Sequence, residues 1–478
     1  MAEINNTKLI KKGQKDMAYN AYITRLKNVH KHPNADRLQI GECFGNSIVV
    51  SLDYEDNQLG VYFPSDGQLS VEFADANNLL RKKDENGNNI GGYMDPEKRN
   101  VTAIRLRGEK SDGLFLPLKS LESFGDITTL KEGDRISVFN GHEICTKYIP
   151  RRNPRSARSS DGNRTRKKKV DVAPLFKEHA DTEQLAYNLG AFKAGDQIEI
   201  TLKMHGTSQR TGYVPVFKGY KRTLLDKLFR KEGTPIYDWG YVSGTRRTVL
   251  ENYEGGYYGS NEFREEHSKV FEGKLLKGET AYYEVVGFTH SGSPIMAMAD
   301  NKKLNDKEFV KQYGNTTVFS YGCDRLGLCL SAQNDPNYNT PVSDLYVYRM
   351  TMTNEDGDVV EYTPDFMRYR CEQMGVKAVP VMWTGFIPTV ENRVFDMNTM
   401  TEHIETPGEY IKDIAEQYYS GPDPIGKTHI REGVVVRIIN RPKFAAFKHK
   451  NFEFKVLEGI CKAEAEMPDM EEIQTLFE

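Results

Sequence analysis

Lys203 closes the run QIEITLK (Gln197 to Lys203), and Gly206 follows three residues later. Ile198, Ile200 and Leu202 alternate with Glu199, Thr201 and Lys203, which predicts a strand with one apolar and one polar face. A lysine at the end of a polar face could attack phosphorus. It does so only as a neutral amine, so burial or nearby positive charge must favour the uncharged form. Gly206 would let the backbone approach a bound group closely. Alone, K-x-x-G is weak, because lysine near glycine is common on any surface.

Further chemistry-bearing residues follow in order. VSGTRRT (Val242 to Thr248) sets Arg246 and Arg247 after a glycine-containing turn, and their forked donors suit a phosphate or a nucleotide sugar. YYEVVGF (Tyr282 to Phe288) puts Glu284 on one strand face with Tyr282 and Val286. An acid between apolar neighbours is costly unless it meets a metal, a ribose hydroxyl or a lysine. VFSYGC (Val318 to Cys323) offers Phe319 and Tyr321, either of which could stack on a base. REGVVVRI (Arg431 to Ile438) places Glu432 at the mouth of a β-branched strand, either as a ligand or as the cap of a turn. Lys448 and Lys450, two apart in FKHKNFEFK, share a strand face. They suit one phosphate between two ammonium groups, or a solvated edge that discourages strand pairing.

Taken together and in this order, these motifs resemble the covalent nucleotidyltransferase superfamily of DNA ligases, RNA ligases and mRNA capping enzymes. KMHGTS resembles its motif I, SGTRR motif Ia, YYEVVG motif III, FSYGC motif IIIa, EGVVVR motif IV and Lys448-x-Lys450 motif V. The match runs from about Asp171 to Lys455, and within the superfamily it is to the Deinococcus-type RNA ligases, which carry an OB domain first. Only 23 residues follow Lys455, too few for the OB domain that DNA ligases and capping enzymes place after motif V. The family's common motif I aspartate is His205 here, which either donates a hydrogen bond or fills the turn.

The resemblance implies an ATP-dependent RNA ligase of the RNA-repair kind, joining 3′-hydroxyl and 5′-phosphate ends. Lys203 would carry AMP as a lysyl-adenylate. Glu199, Gly206, Arg246, Arg247, Glu284, Phe319, Tyr321, Glu432, Lys448 and Lys450 would bind the nucleotide, with Glu284 and Glu432 also holding Mg²⁺ or Mn²⁺ through hard carboxylate oxygen. The alternatives are a GTP-using capping-type transferase and a noncatalytic RNA-binding protein with a relict transferase domain.

The elements that must position these residues imply an α+β chain. An antiparallel-sheet nucleotidyltransferase domain at 173–478, with a short C-terminal tail, is expected after a β-barrel, OB-like domain at 1–148 and a basic linker at 149–172. The first region reads as short strands, among them Ser47 to Leu52, Gly60 to Phe63 and Arg135 to Phe139. Its HPNADRL (His32 to Leu38) and IRLRGEKSDGLFLP (Ile104 to Pro117) resemble the OB-fold tRNA-binding modules of some synthetases, which bind oligonucleotides or only dock a partner. Arg151, Arg152, Arg155, Arg158, Arg164, Arg166 and Lys167 to Lys169 make the linker basic. It reads as a contact to a nucleic-acid backbone, as plain solvated chain, or as a sorting signal. Beyond it, Asp181-Thr182-Glu183 predicts a short helix through Leu189. Strands are expected at Gln197 to Lys203, Ala281 to Gly287, Thr317 to Tyr321, Gly433 to Ile439 and Phe444 to Phe454, while 334–419 yields no motif.

Formal net charge is only -3 over 478 residues, so a polyanion site must be a local patch. Cys43, Cys145, Cys323, Cys329, Cys371 and Cys461 show no CxxC spacing, which argues against a zinc ribbon or a disulfide scaffold. The first residues carry no apolar signal-peptide core and no later run is long enough to cross a membrane, so a cytoplasmic location is expected.

Overall fold

The computed structural model describes residues 19–65, 67–82, 92–148, 171–180, 182–223, 233–250, 253, 261–325, 341–390, 392–396 and 401–458. The basic linker lies almost wholly outside them. The chain divides into two compact units, one within Met1–Arg152 and one within Asn153–Glu458. It is mixed α+β, with mostly antiparallel sheets and few helices. No described helix is long and apolar enough to cross a membrane. Cys43, Cys145, Cys323 and Cys371 are free and buried.

In the first unit, β1 (Ala21–Lys31), β2 (Leu38–Cys43), β3 (Asn46–Ser51), β4 (Gln58–Phe63), β5 (Leu114–Pro117) and β6 (Arg135–Ile136) form one antiparallel sheet in the order β3-β2-β1-β4-β5. β6 pairs with β1 off that path. The expected strand through Phe139 breaks at Ser137, whose carbonyl accepts from Ile144 and Cys145 N–H. The His32–Leu38 and Ile104–Pro117 pieces meet. Asn34 N–H donates to His32 Nδ1 at 3.0 Å, which leaves His32 Nε2–H to donate to the Leu106 carbonyl at 3.0 Å. The Asn34 amide donates to the Arg107 carbonyl at 3.1 Å.

The second unit holds two sheets. The first joins β7 (Gln197–Leu202), β12 (Val381–Phe386), β13 (Gly433–Ile438) and β14 (Ala445–Lys450), in the order β14-β13-β7-β12, with Glu183–Gln184 parallel to β14 at its edge. The second joins β8 (Thr207–Lys221), β9 (Thr234–Gly244), β10 (Glu279–Gly287) and β11 (Ser343–Thr353), in the order β9-β8-β10-β11. The alternation read in the sequence sets the first sheet. Ile198, Ile200, Val434, Val436 and Ile438 turn one way into a core that also takes Ile411 and Ala415 of a helix, Pro407–Tyr418. Each fully buried aliphatic side chain contributes roughly 1.5–3 kcal/mol. That helix starts where Thr406 and Glu409 form a reciprocal capping box with Pro407 in the first turn.

Three expected elements of the second unit differ. In place of a helix through Leu189 there is the edge strand Glu183–Gln184 and two short 3-10 turns, Leu185–Tyr187 and Leu189–Ala191. Pairing with β14 outweighs the capping signal. The strand expected at Thr317 to Tyr321 ends at Thr317. Tyr321 takes a left-handed φ of 48°, and its hydroxyl accepts from His205 N–H at 2.7 Å. The strand expected through Phe454 stops at Lys450, because Asn451 Oδ1 accepts from Glu453 and Phe454 N–H and starts the helix Phe452–Glu458.

Candidate active site

The polar face of the first sheet forms the floor of a cleft of about 970 Å³, open mouth included. Strand register orders that floor into transverse rows. Lys203 N–H donates to the Gly433 carbonyl, and Gly433 lies opposite Lys450, so Lys203, Gly433 and Lys450 make the first row. Thr201, Val435 and Lys448 make the second, and Glu199, Arg437 and Ala446 the third. Gly433 is required where it sits. Its φ is +150°, and a Cβ there would lie 2.1 Å from the His449 carbonyl oxygen. Ser208, Glu284 and Tyr348 line the cleft from the second sheet, with Arg246 just beyond β9.

The first row is an ion cluster. One oxygen of Glu432 lies 2.8 Å from Lys203 Nζ and 3.0 Å from Lys450 Nζ. Glu432 is 1% exposed. Burial alone would push its carboxyl up; Lys203 and Lys450 override that and hold it well below the usual carboxylate range. Glu458, at the end of the last described helix, grips Lys450 at 2.9 Å and stands 3.4 Å from His205 Nδ1. His205 Nδ1 is 3.7 Å from the second Glu432 oxygen, which is buried with no hydrogen-bond partner.

Gly206 fits its tight turn for a steric reason: a Cβ there would fall 2.3 Å from the Val285 carbonyl oxygen and 2.9 Å from Glu284 Cγ. Thus the turn after Lys203 presses on the strand that carries Glu284, and the two sheets meet at the lysine.

At the third row Arg368 donates to Glu199 at 2.6 Å. Burial raises the Glu199 carboxyl and Arg368 opposes it; the rise prevails. Beyond, Arg349 reaches Glu361 through Nε at 3.0 and 3.1 Å and lies over the rings of Tyr282 and Phe444 at 4.7 and 4.6 Å. Arg437 lies over Phe444 as well, at 5.0 Å.

Of the sequence-predicted residues, Lys203, Glu199, Arg246, Glu284, Lys448 and Lys450 line this cleft, with Glu432 just behind its first row and Gly206 at the turn. Arg247 is not in the lining; its carbonyl accepts from Arg210. Phe319 and Tyr321 are not in the lining either. They pack behind His205, with Phe319 4.6 Å from its ring, and Tyr321 stands edge-on to His429 at 4.5 Å. The aromatic rings that do line the cleft are His179, Tyr348 and Phe444. Sequence reasoning missed these, together with Arg437 and Glu458. Arg437 and Phe444 carried a signal, since the first continues the alternation of Gly433 and Val435 and the second that of Ala446, Lys448 and Lys450.

No family model matches the chain, and no curated protein does either. Solved structures do. The Naegleria gruberi RNA ligase with PPi is similar at a TM-score of 0.52 and 16% identity, over 91% of this chain and 97% of that one. A variant of that ligase with ATP and Mn is similar at 0.50 and 16%, over 92% and 99%. The fold is shared with an RNA ligase. At this identity the likeness speaks for the fold, and it spans both units rather than the cleft alone.

Among the described residues, His205, Glu432 and Glu458 bring one ligand atom each to within 4.8 Å of one another. Two carboxylates and an imidazole suit a hard or borderline divalent ion. Glu284, expected beside Glu432 as a metal ligand, is not part of this group.

Proposed function

We propose that this protein is an ATP-dependent RNA ligase that seals 3′-hydroxyl and 5′-phosphate ends through a Lys203-AMP intermediate. The observation that carries this reading is the first row of the cleft floor, where Lys203 and Lys450 flank Gly433 and share one buried oxygen of Glu432. A lysine beside a second cation and a carboxylate, at the edge of a cleft lined by Arg246 and Lys448, suits nucleophilic attack on a phosphate. The fold likeness to an ATP- and Mn-bound RNA ligase supports the same reading.

In this mechanism the Lys203–Glu432 bridge loosens as ATP enters, since an ammonium has no lone pair. The Lys203 ammonium yields one proton to solvent; the amine then attacks the α-phosphorus, a P–N bond forms as the bond to pyrophosphate breaks, and the nitrogen passes its second excess proton to solvent. Lys448 and Lys450 steady the α-phosphate oxygens. The AMP passes to the 5′-phosphate of RNA, and a 3′-hydroxyl displaces it to form the phosphodiester. Glu432 and Glu284 are the carboxylates we assign to Mg²⁺ or Mn²⁺, which when bound neutralises phosphate charge. The second oxygen of Glu432, buried without a hydrogen bond and facing His205, fits that assignment. Arg246 contacts the ribose or the 5′-phosphate, and the first unit is an OB-like RNA-binding module.

The test is to incubate the protein with ATP labelled at the α-phosphate and look for acid-stable labelled protein. Label should appear in the wild type and vanish in Lys203→Ala. Label retained by that variant sinks the assignment, and label from GTP alone makes the protein a capping-type transferase. Absence of label from either nucleotide would favour the noncatalytic RNA-binding reading. Sealing of nicks with ribose or deoxyribose at the 3′ terminus then separates RNA from DNA ligation.

A further inference from the structure

His179 stands at the end of the cleft farthest, in row order, from Lys203, with its ring 5.0 Å from Tyr348, 5.6 Å from Tyr282 and 5.9 Å from Phe444. Its Nδ1 lies 3.2 Å from Arg349 Nη1. A guanidinium is always a donor, so Nδ1 must accept, and the ring proton therefore resides on Nε2. Arg349 cannot swing away cheaply, because Glu361 holds it on two oxygens and Tyr282 and Phe444 cover it. The tautomer of His179 is thus fixed by packing before any ligand arrives. Burial and then the guanidiniums of Arg246, Arg349, Arg210 and Arg437 hold the imidazole well below its ordinary pKa, so the ring stays uncharged at neutral pH.

The same cleft is lined by Arg246, Arg437 and Lys448. His179 N–H also reaches the Arg246 carbonyl at 3.5 Å, which ties the two residues together. Two acids of this region are engaged by other guanidiniums, Glu361 by Arg349 and Glu199 by Arg368, and Glu284 also lines the cleft. Cations with a fixed neutral donor among them match an anionic oxygen, and phosphate is the anion that a nucleotide or an RNA end brings.

We propose that His179 is a phosphate-binding residue of this cleft, donating through Nε2–H to a nonbridging phosphate oxygen that Arg246 and Lys448 attract by charge. This rests on the ligase reading and deepens it. The phosphate comes from one of two sources: the pyrophosphate portion of ATP, or the 5′-phosphate of the RNA. A donor whose orientation is set in advance costs no reorganisation when the ligand binds.

The experiment compares wild type, His179→Gln and His179→Phe, each first checked for an unchanged melting temperature. Gln keeps an N–H donor near the Nε2 position; Phe keeps the ring and removes the donor. Binding of inorganic pyrophosphate is measured by calorimetry on each. A hydrogen bond to a charged group is worth about tenfold or more in affinity, so Phe should weaken pyrophosphate by about that factor and Gln should recover most of it. Two kinetic arms separate the sources. If His179 serves the triphosphate, the Phe variant raises KM for ATP in Lys203 labelling more than it lowers kcat. If it serves the RNA end, transfer from pre-adenylylated protein to a 5′-phosphorylated oligonucleotide slows instead.

Wild-type behaviour of the Phe variant in pyrophosphate binding and in both arms overturns the proposal. So does a well-folded Gln variant that is as weak as Phe. A wild-type protein that binds pyrophosphate through His179 yet takes no label from ATP would refute the ligase reading and leave the phosphate contact standing.

Discussion

At one end of the cleft a single carboxylate oxygen of Glu432 lies between two ammonium groups, and Glu458 holds one of them from the other side. At the other end Arg349 is clasped by both oxygens of Glu361 and covered by Tyr282 and Phe444. The first arrangement is a set of exchangeable ion pairs, with Phe319 and Phe454 packed against its His205 rather than over its lysines. Its lysines can trade a carboxylate for a phosphate with little other movement. The second has one bidentate pair fixed between rings, so its donors keep their directions with or without a ligand. A nucleotidyl transfer site needs both: a place where charge is reshuffled as bonds change, and a place that stays put and orients what enters.

The largest expected effect comes from removing the shared anion. Glu432→Ala removes the carboxylate that Lys203 and Lys450 share, and breaking a buried pair on one side costs about 3–5 kcal/mol. Glu361→Ala is the matched change at the far end, where the Arg349 guanidinium keeps its aromatic faces and should lose less. Urea unfolding of both variants makes the comparison. Equal losses would mean that stacking adds nothing at the far end and that the contrast drawn here is false.

Next in size is Gly206→Ala. The new methyl group would collide with the Val285 carbonyl, so the turn after Lys203 must shift away from β10. A displacement of about 1 Å at a reacting group costs on the order of 100-fold in rate. Single-turnover labelling should fall by about that much, while pyrophosphate binding at the His179 end stays at the wild-type level. A variant that loses both would show that the two ends move as one body.

How much of this was legible beforehand follows the same division. The Lys203 end was readable because a strand's period of two ties residue order to direction: Glu199, Thr201 and Lys203 point the same way from one strand, and Lys448 and Lys450 from another, onto one sheet face. Glu432 and Gly433 were readable as a short motif at a strand mouth. The far end was not. His179 lies just before the residues read as a helix cap, in a stretch with no motif, and its role depends on Arg349, 170 residues away in the chain. Phe444 continues the alternation of Ala446, Lys448 and Lys450, but nothing local says that its ring would cover Arg349 and Arg437. Phe319 and Tyr321 were placed on a strand because they alternate. The left-handed turn at Tyr321, held by its bond to His205 N–H, could not be seen from local sequence, and it takes both rings out of the cleft. Glu458 likewise reaches Lys450 only because Asn451 ends the strand and starts a helix.

The smallest expected effect concerns Glu199, in the third row between the two ends. Burial raises its carboxyl above the ordinary value of 4.5 although Arg368 donates to it. The folded protein therefore holds this proton more tightly than the unfolded chain does. That contribution is fully present below the unfolded value and is lost as pH rises through the folded one. Glu199→Gln has no such proton to lose. Melting temperatures of the wild type and this variant, taken from pH 4 to pH 7, should separate in the variant's favour as pH rises. A gap that stays constant, or that opens in favour of the wild type, would mean that the Arg368 pair outweighs burial. The third row would then behave like the ion cluster at Lys203, and the fixed half of the cleft would begin only at Arg349.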